Sequence, residues 1–413
     1  MIVMTLSSFA ASAQLNPTIS LFVHPVTNEF GWTRSVFTGA TSIGTILGGL
    51  MALVVGPVID RHGARWLLTA AFLMMGALLI SLGSMHSLWH FYLVFILSRM
   101  ILQGIIQLAN NVVIAKWFIA KRGRALAISS VGQRIGLGVI PVFVQFLMSG
   151  YGWRMAAVGL GSLTWGLTIV PTVLWLRRNP EDLGLNPDGD PGAFEDGPDK
   201  GSSQDEPPQS SRLNEFSFTL REALQTRSFY VLLAALCIGN FVNTGVNFHM
   251  YPLLTDRGFS PGLAVAIVST WSLVGIPMVT LGGILAERVA IRFLMAGAFL
   301  GMGLSVVILL FADTVLTGFL FAVVYGTFFG ISLLYQNLSL ANYYGRDSFG
   351  AIRGFTSPFQ MVTNALGPFA AAFVFDTTGS YSAILIAHVF LLLLVAGAMI
   401  FATPPRRIVM RDS

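Results

Sequence analysis

The chain has 413 residues, 54% hydrophobic and only 10% charged, whereas soluble domains carry roughly a quarter charged residues. With a mean hydropathy of +0.72, this composition excludes a soluble globular protein. The +5 net charge does not suggest nucleic acid, because the cations are sorted by side.

Apolar runs able to cross about 30 Å of hydrocarbon occur at 2–24, 33–57, 65–84, 89–115, 124–147, 152–176, 228–251, 261–284, 291–312, 315–340, 349–374 and 380–402. The first could pass for a signal peptide with Ala11-Ser12-Ala13 as its cleavage site. No Lys or Arg precedes Arg34, so the basic leader is missing. The run continues past Asn16 and Pro17 and reads as the first span, with Ser8, Ser12 and Asn16 on one stripe. On the fourth span Arg99, Gln103, Gln107 and Asn110 recur at helical spacing and share a face. On the fifth, Ser130, Arg134, Pro141 and Gln145 do the same, and Gly138 leaves room near Arg134. Both arginines lie about ten residues from a span end, hence roughly 15 Å deep at 1.5 Å per residue.

From 177 to 227 the chain turns polar, acidic and rich in Gly, Pro and Ser, as a flexible linker does. An amphipathic pattern over 216–229 predicts a short helix on the membrane surface. Further polar stripes follow: Asn240, Asn243 and Asn247 on span seven; Tyr325, Ser332 and Gln336 on span ten; Ser357, Gln360 and Asn364 on span eleven. His249, near the end of span seven, lies off the Asn face and is a candidate proton relay. Cys237 is the single cysteine and reads as a small buried residue.

Of the 24 Lys and Arg, Arg34, Arg154 and Arg257 fall on one side, Arg99 and Arg134 inside spans, and the other nineteen on the opposite side. That rich side is expected to be cytoplasmic, with both termini on it. None of the 19 acidic residues lies inside an apolar run. A guanidinium at bilayer depth with no carboxylate mate marks a water-filled cavity or an external anion. The plainer alternative pairs each Arg with backbone carbonyls, and the Gln and Asn positions with neighbouring helices.

The halves repeat. Gly56, Asp60, Arg61 and Arg65 follow span two; Gly283, Glu287, Arg288 and Arg292 follow span eight, each at an offset of 227 residues (283 − 56, 292 − 65). Register and topology both recur, which indicates duplicated bundles. The Gly56-x-x-x-Asp60-Arg61-x-Gly63-x-Arg65 pattern resembles the signature of the major facilitator superfamily, as do the twelve spans and the central loop. Within it, Asn111, Lys116, Trp117, Phe118, Lys121, Arg122, Arg124 and Ala127, leading into Gly132, are similar to the span-five signature of monocarboxylate carriers. Glu29-Phe30-Gly31-Trp32 partly resembles their first-span signature. The run from Arg177 to Gly189 is similar to bacterial relatives of those carriers. Animal carriers of that kind are associated with a Lys in span one and an Asp/Arg pair in span eight. Neither is found here, so their coupling apparatus does not carry over. Gly132, Gly136 and Gly138 faintly resemble an exporter motif.

The expected fold is therefore all-α: twelve transmembrane helices in two pseudo-symmetric six-helix bundles. The expected divisions are 1–176, a linker at 177–227 with a short amphipathic helix, and 228–413. The resemblance implies a bacterial inner-membrane secondary carrier of small organic anions, monocarboxylates in particular, working by alternating access with a proton as candidate co-substrate. Arg99 and Arg134 would bind the anion, with Gln103, Asn243, Gln336 and Gln360 positioning it. Asp60, Arg61, Arg65, Glu287 and Arg288 are assigned to gating. No cofactor, metal or nucleic-acid partner is expected, and the chain is expected to be monomeric in the bilayer. The rival within transport is a proton-driven exporter of amphipathic compounds, with Phe328, Phe329, Phe355 and Phe359 as its aromatic lining. A non-transporting sensor is a minor alternative. A membrane enzyme is not expected, since no metal-ligand cluster or nucleophile elbow occurs.

Overall fold

Hydrocarbon offers backbone amides no partner, so each apolar run satisfies its own by becoming helical. A computed structural model describes residues 1–118, 122–176, 218–286, 288–345 and 349–405. Among the described residues, nine helices are long and apolar enough to cross a membrane by length and composition.

Those nine account for ten of the twelve spans, because Arg122–Leu174 is two helices joined at Gly152. There φ is +80°, a value open to glycine and strained for other residues. The two halves of that element are α5 and α6. The remaining spans, α1 and α11, are a broken helix and one diluted by Ser357, Gln360 and Asn364. Helix α1 runs through Ile2–Ala11, Ser12–Gln14, Asn16–Ile19, Ser20–Phe22 and Val23–Phe30. Leu15 is extended (φ −82°, ψ 157°), and Pro17, which has no N–H to give, stands in the first turn of the next piece. The sequence reading had this span continuous; the proline breaks it and frees carbonyls at mid-depth.

The other spans are α2 (Arg34–His62), α3 (Arg65–Leu82), α4 (Leu88–Ile101, a π-turn Leu102–Ile106, then Gln107–Trp117), α7 (Arg227–Asp256), α8 (Pro261–Ala286), α9 (Ile291–Leu310), α10 (Val315–Tyr344), α11 (Phe349–Thr378) and α12 (Ser382–Phe401). The expected surface helix is shorter than predicted, Leu220–Leu224, with a capping box between Thr219 and Glu222. It docks on protein: Phe218 N–H donates to Tyr344 O at 2.9 Å, and Ala223 is buried. The linker stretch 177–217, including the Arg177–Gly189 run, lies outside the described residues, as do 119–121 of the span-five signature.

Within the first bundle α1 packs on α5, α2 on α4 and α3 on α6; within the second, α7 packs on α11, α8 and α9 on α10, and α9 on α12. The bundles meet along two seams, α2 with α11 and α5 with α8. Helices α2 and α8, like α5 and α11, are six places apart in the order of spans, so the pseudo-twofold exchanges one seam for the other. Small residues let these backbones close up, as membrane helices require. A Cβ on Gly136 would stand 2.7 Å from Phe9 O, and one on Gly132 2.6 Å from Thr5 O. Those two glycines seat α1 on α5, which explains the faint exporter-like spacing as packing.

Candidate functional site

The break in α1 organises the site. Gln14 O, released from helical bonding, accepts from Arg99, and so does Asn16 Oδ1 just beyond the break. The third nitrogen direction, Nε, donates to Thr45 Oγ1 at 3.2 Å. Arg99 is thus buried and held by three oxygens from α1 and α2. The π-turn that follows in α4 keeps Gln103 and Gln107 on the side of Arg99. Asn110 leaves that side: it accepts from Ser7 Oγ at 2.7 Å and donates to Ser8 Oγ at 3.3 Å, joining α1 to α4. Of the four polar residues on the predicted stripe, three reach the cavity.

That cavity lies between the bundles and measures about 640 Å³. Its walls come from Asn16 of α1, Arg99, Gln103 and Gln107 of α4, Gln133 and Arg134 of α5, Asn240, Asn243 and Asn247 of α7, Trp271 of α8, Phe329 and Leu333 of α10, and Asn364 of α11. No acidic residue is among its described lining. An adjoining chamber of about 380 Å³ shares Gln103, Gln107 and Asn364 and adds Gln336, Arg353 and Gln360. All six residues assigned to substrate from the sequence therefore line one of two adjoining spaces.

Arg134 differs from Arg99. Its guanidinium borders the cavity and has no hydrogen-bond or ion-pair partner among the described residues. Its backbone is fixed, since Ser272 Oγ of α8 donates to Arg134 O at 2.9 Å and Ser269 Oγ to Gly138 O at 2.6 Å. Its side chain lies against Gly275, where a Cβ would collide with Nη1. The aromatic wall beside it is rigid: Trp271 meets Tyr325 edge-on at 5.6 Å, and Tyr325 stacks on Phe329 at 5.7 Å. Tyr325 Oη donates to Asn243 Oδ1 at 2.8 Å, and Asn247 Nδ2 donates to the same oxygen.

Two glycine substitutions separate site from scaffold. In Gly275→Ala the new methyl meets chiefly the end of a flexible Arg134 side chain and stands a tight 3.2 Å from Gly326 O. The melting temperature should therefore fall by a few degrees at most while substrate affinity falls about tenfold, the loss of one hydrogen bond to a charged group. In Gly326→Ala the methyl meets Trp271 O, a backbone atom that cannot step aside. Overpacking of that kind costs about 1–3 kcal/mol, so this variant should melt earlier. Thermal unfolding and binding on the two purified variants check both.

The other predicted residues fall elsewhere. His249 is buried near the opposite face from the basic loops, outside the cavity lining. Pro368 O can only accept, so the 2.8 Å contact is donated by Nε2–H; Nδ1 then accepts from Tyr381 Oη at 2.8 Å. Among the gating residues, Arg65 donates to Val173 O within its own bundle, while Arg61 and Arg288 are exposed. Glu287 and the side chain of Asp60 lie outside the described residues.

The opposite face carries a polar clasp that the sequence reading missed. Arg34 of α2 grips Asp256 of α7 through two hydrogen bonds, 2.7 and 2.9 Å. It also donates to Tyr381 Oη at 2.5 Å and lies 3.7 Å from the Phe375 ring centroid. Asp376 of α11 accepts from the first two amides of α2, Arg34 N at 3.1 Å and Ser35 N at 2.7 Å, so a carboxylate from one bundle caps a helix of the other. His24 approaches Asp256 at 3.2 Å. The available signal was scarcity: with three cations on that face, an Arg opening a span stands out. Arg154 binds Glu29 at 2.6 Å and Arg257 donates to Leu310 O at 3.0 Å, so all three are engaged. Trp271 and Gln133 were also missed, because an aromatic or an amide in a span reads first as core.

Two six-helix bundles around a polar mid-depth cavity, clasped at one face, define a multi-pass membrane protein. The family model of the Major Facilitator Superfamily matches residues 1–368, and the chain belongs to that family. It is similar to a probable L-galactonate transporter of Escherichia coli (29% identical over 189 residues, 44% of this chain and 40% of the relative). It is also similar to the membrane sensor protein UhpC of Salmonella typhimurium (29% over 160 residues, 38% of this chain and 36% of that one). The chain thus aligns with about two fifths of the length of these relatives. Among solved structures, a bacterial homologue of the human lysosomal transporter Spinster, inward-facing and unoccupied, superposes with a TM-score of 0.72 at 16% identity, covering 97% of this chain and 96% of that one. A D-xylose–proton symporter gives 0.68 at 13% identity, with 96% and 95% covered.

Proposed function

We propose that this protein carries small organic anions, monocarboxylates in particular, by alternating access, and that Arg134 is the group that receives the carboxylate. The observation that carries the reading is a guanidinium bordering a cavity without an acidic wall and without a partner among the described residues. Such a group is costly at bilayer depth unless an anion or water meets it, and its fork suits a carboxylate bidentately. Arg99 adds a second positive charge to the same wall while its own bonds hold α1 in its broken form. Gln103, Asn243, Gln336 and Gln360 position the rest of the ligand.

The basic face is assigned to the cytoplasm of a bacterial inner membrane by the positive-inside rule. The Arg34–Asp256 clasp then holds the outer side shut in this structure. His249, bound to Tyr381, belongs to that clasp and acts in gating ahead of proton relay. Asp60 and its neighbours would do the corresponding work at the inner mouth. With no acid among the described lining of the cavity, a proton can enter on the substrate itself. The bundle division at 1–176 and 228–413, with a linker between, is adopted as the moving parts, and the carrier is taken as a monomer.

Export of amphipathic compounds is the weaker reading. Of the four phenylalanines assigned to it, Phe329 alone lines the described cavity; Phe355 packs on Phe229 and Phe359 is largely exposed. The likeness to a sensor reaches 38% of this chain and supports no signalling role. Purified protein in liposomes should take up a labelled monocarboxylate saturably, with excess unlabelled carboxylate competing and cationic dyes inert. Dye efflux without carboxylate uptake would overturn the assignment.

A further inference from the structure

Two polar atoms on side chains that border the cavity are left without partners among the described residues, and they are of opposite kind. The indole N–H of Trp271 and the carboxamide oxygen of Asn247 are both buried and unbonded among the described residues, on side chains 2% and 8% exposed. Asn247 is oriented by its neighbours: Asn243 Oδ1 already accepts from Tyr325 Oη and takes Asn247 Nδ2–H as well, which leaves Asn247 Oδ1 as a spare acceptor. Trp271 packs on the same Tyr325. The two residues are thus both linked to Tyr325, Trp271 by ring contact and Asn247 through Asn243, and both line the cavity.

Buried polar atoms left unmet cost about 1–3 kcal/mol each, so their persistence at a ligand wall asks for a ligand group. A hydroxyl can do both at once, donating to the carboxamide oxygen and accepting from the indole N–H. We infer that the carried anion is a hydroxylated organic acid rather than a plain alkyl carboxylate, with one hydroxyl read by Trp271 and Asn247 when the bundles close on it. The inference rests on the anion reading above and deepens it. Position along the chain follows from α8. Trp271 and Gly275 are one helical turn apart, roughly 5.4 Å, and Gly275 abuts the Arg134 guanidinium. The hydroxyl so placed sits a few carbons from the carboxylate. Gln103, Gln107, Gln133 and Asn364, which border the same space with no hydrogen-bond partner for their side-chain amides among the described residues, suit further hydroxyls and repel an alkyl tail.

The test uses three probes of six carbons on the full-length protein: gluconate, hexanoate and the neutral polyol sorbitol. Competition against labelled gluconate uptake in liposomes should favour gluconate over hexanoate by tenfold or more, the scale of a hydrogen bond that a site is built to make. Trp271→Phe keeps an aromatic ring on Tyr325 but removes the N–H together with the five-membered ring. It should cut that preference about tenfold, with hexanoate binding as the internal reference and some loss of ligand-free melting temperature from the space left behind. Asn247→Leu should cut it likewise and guards against a folding defect in the first variant. Equal competition by hexanoate and gluconate, or an unchanged ratio in both variants, overturns the hydroxyl assignment while the anion reading stands. Sorbitol competing as well as gluconate, with Arg134→Gln without effect, removes both.

Discussion

Arg134→Gln is expected to lower carboxylate uptake at sub-saturating substrate by roughly 100-fold, the loss of about 3 kcal/mol from a bidentate charge-assisted contact. It should do so without destabilising the protein. The guanidinium has no partner among the described residues, so its removal orphans nothing and relieves an uncompensated charge; the ligand-free melting temperature should stay level or rise. Arg134→Lys keeps the charge and loses the planar fork, so it should fall between, about tenfold down. Arg99→Gln makes the contrast. There Gln14 O, Asn16 Oδ1 and Thr45 Oγ1 lose their donors together, and the melting temperature should drop along with transport. Uptake and thermal unfolding on the three variants decide the matter. Wild-type uptake in Arg134→Gln would end the anion assignment.

Arg34→Ala should open the clasped face. The residue makes a two-pronged pair with Asp256, a bond to Tyr381 and a contact with the Phe375 ring, all between bundles. Breaking one side of a fully buried ion pair costs about 3–5 kcal/mol; this pair, with Asp256 28% exposed, should cost about 2–3 kcal/mol. On the alternating-access reading these contacts belong to the closed state, so that cost falls there and shifts the equilibrium by roughly 30- to 150-fold. A cysteine placed at the cavity residue Leu137, in a Cys237→Ala background, reports it. An impermeant thiol reagent added from the clasped side should label slowly in the parent and at least tenfold faster with Arg34→Ala. Adding Asp256→Ala should return part of the lost stability, because the stranded carboxylate goes with its partner. Unchanged labelling would show that the clasp does not hold the gate.

The two arginines illustrate how far a sequence carries and where it stops. Both stood out because a charge within an apolar run is rare, and both border the cavity. Their difference was invisible, since it depends on a helix break at Leu15 that delivers Gln14 O and Asn16 to one of them and not to the other. Asn110 shared the stripe of Arg99 by spacing, yet Ser7 and Ser8 of α1 claim it. His249 read as a relay because histidines titrate, but Pro368 O and Tyr381 take both ring nitrogens. In each case the deciding partner lies on another helix.

Span number, internal repeat and the sorting of cations are local or periodic properties. Hydrocarbon enforces them segment by segment, so they were legible in the residues alone. Which polar groups meet is not local. Arg34 and Asp256 lie 222 residues apart, Asn240 reaches Gln360 across 120, and the spare atoms of Trp271 and Asn247 are defined only by neighbours they fail to find. Those relations arise when helices already formed choose their crossing points, and small residues such as Gly275 and Gly326 set how closely they approach. Tertiary packing therefore decided which buried charge is tied down and which is left without a partner among the described residues.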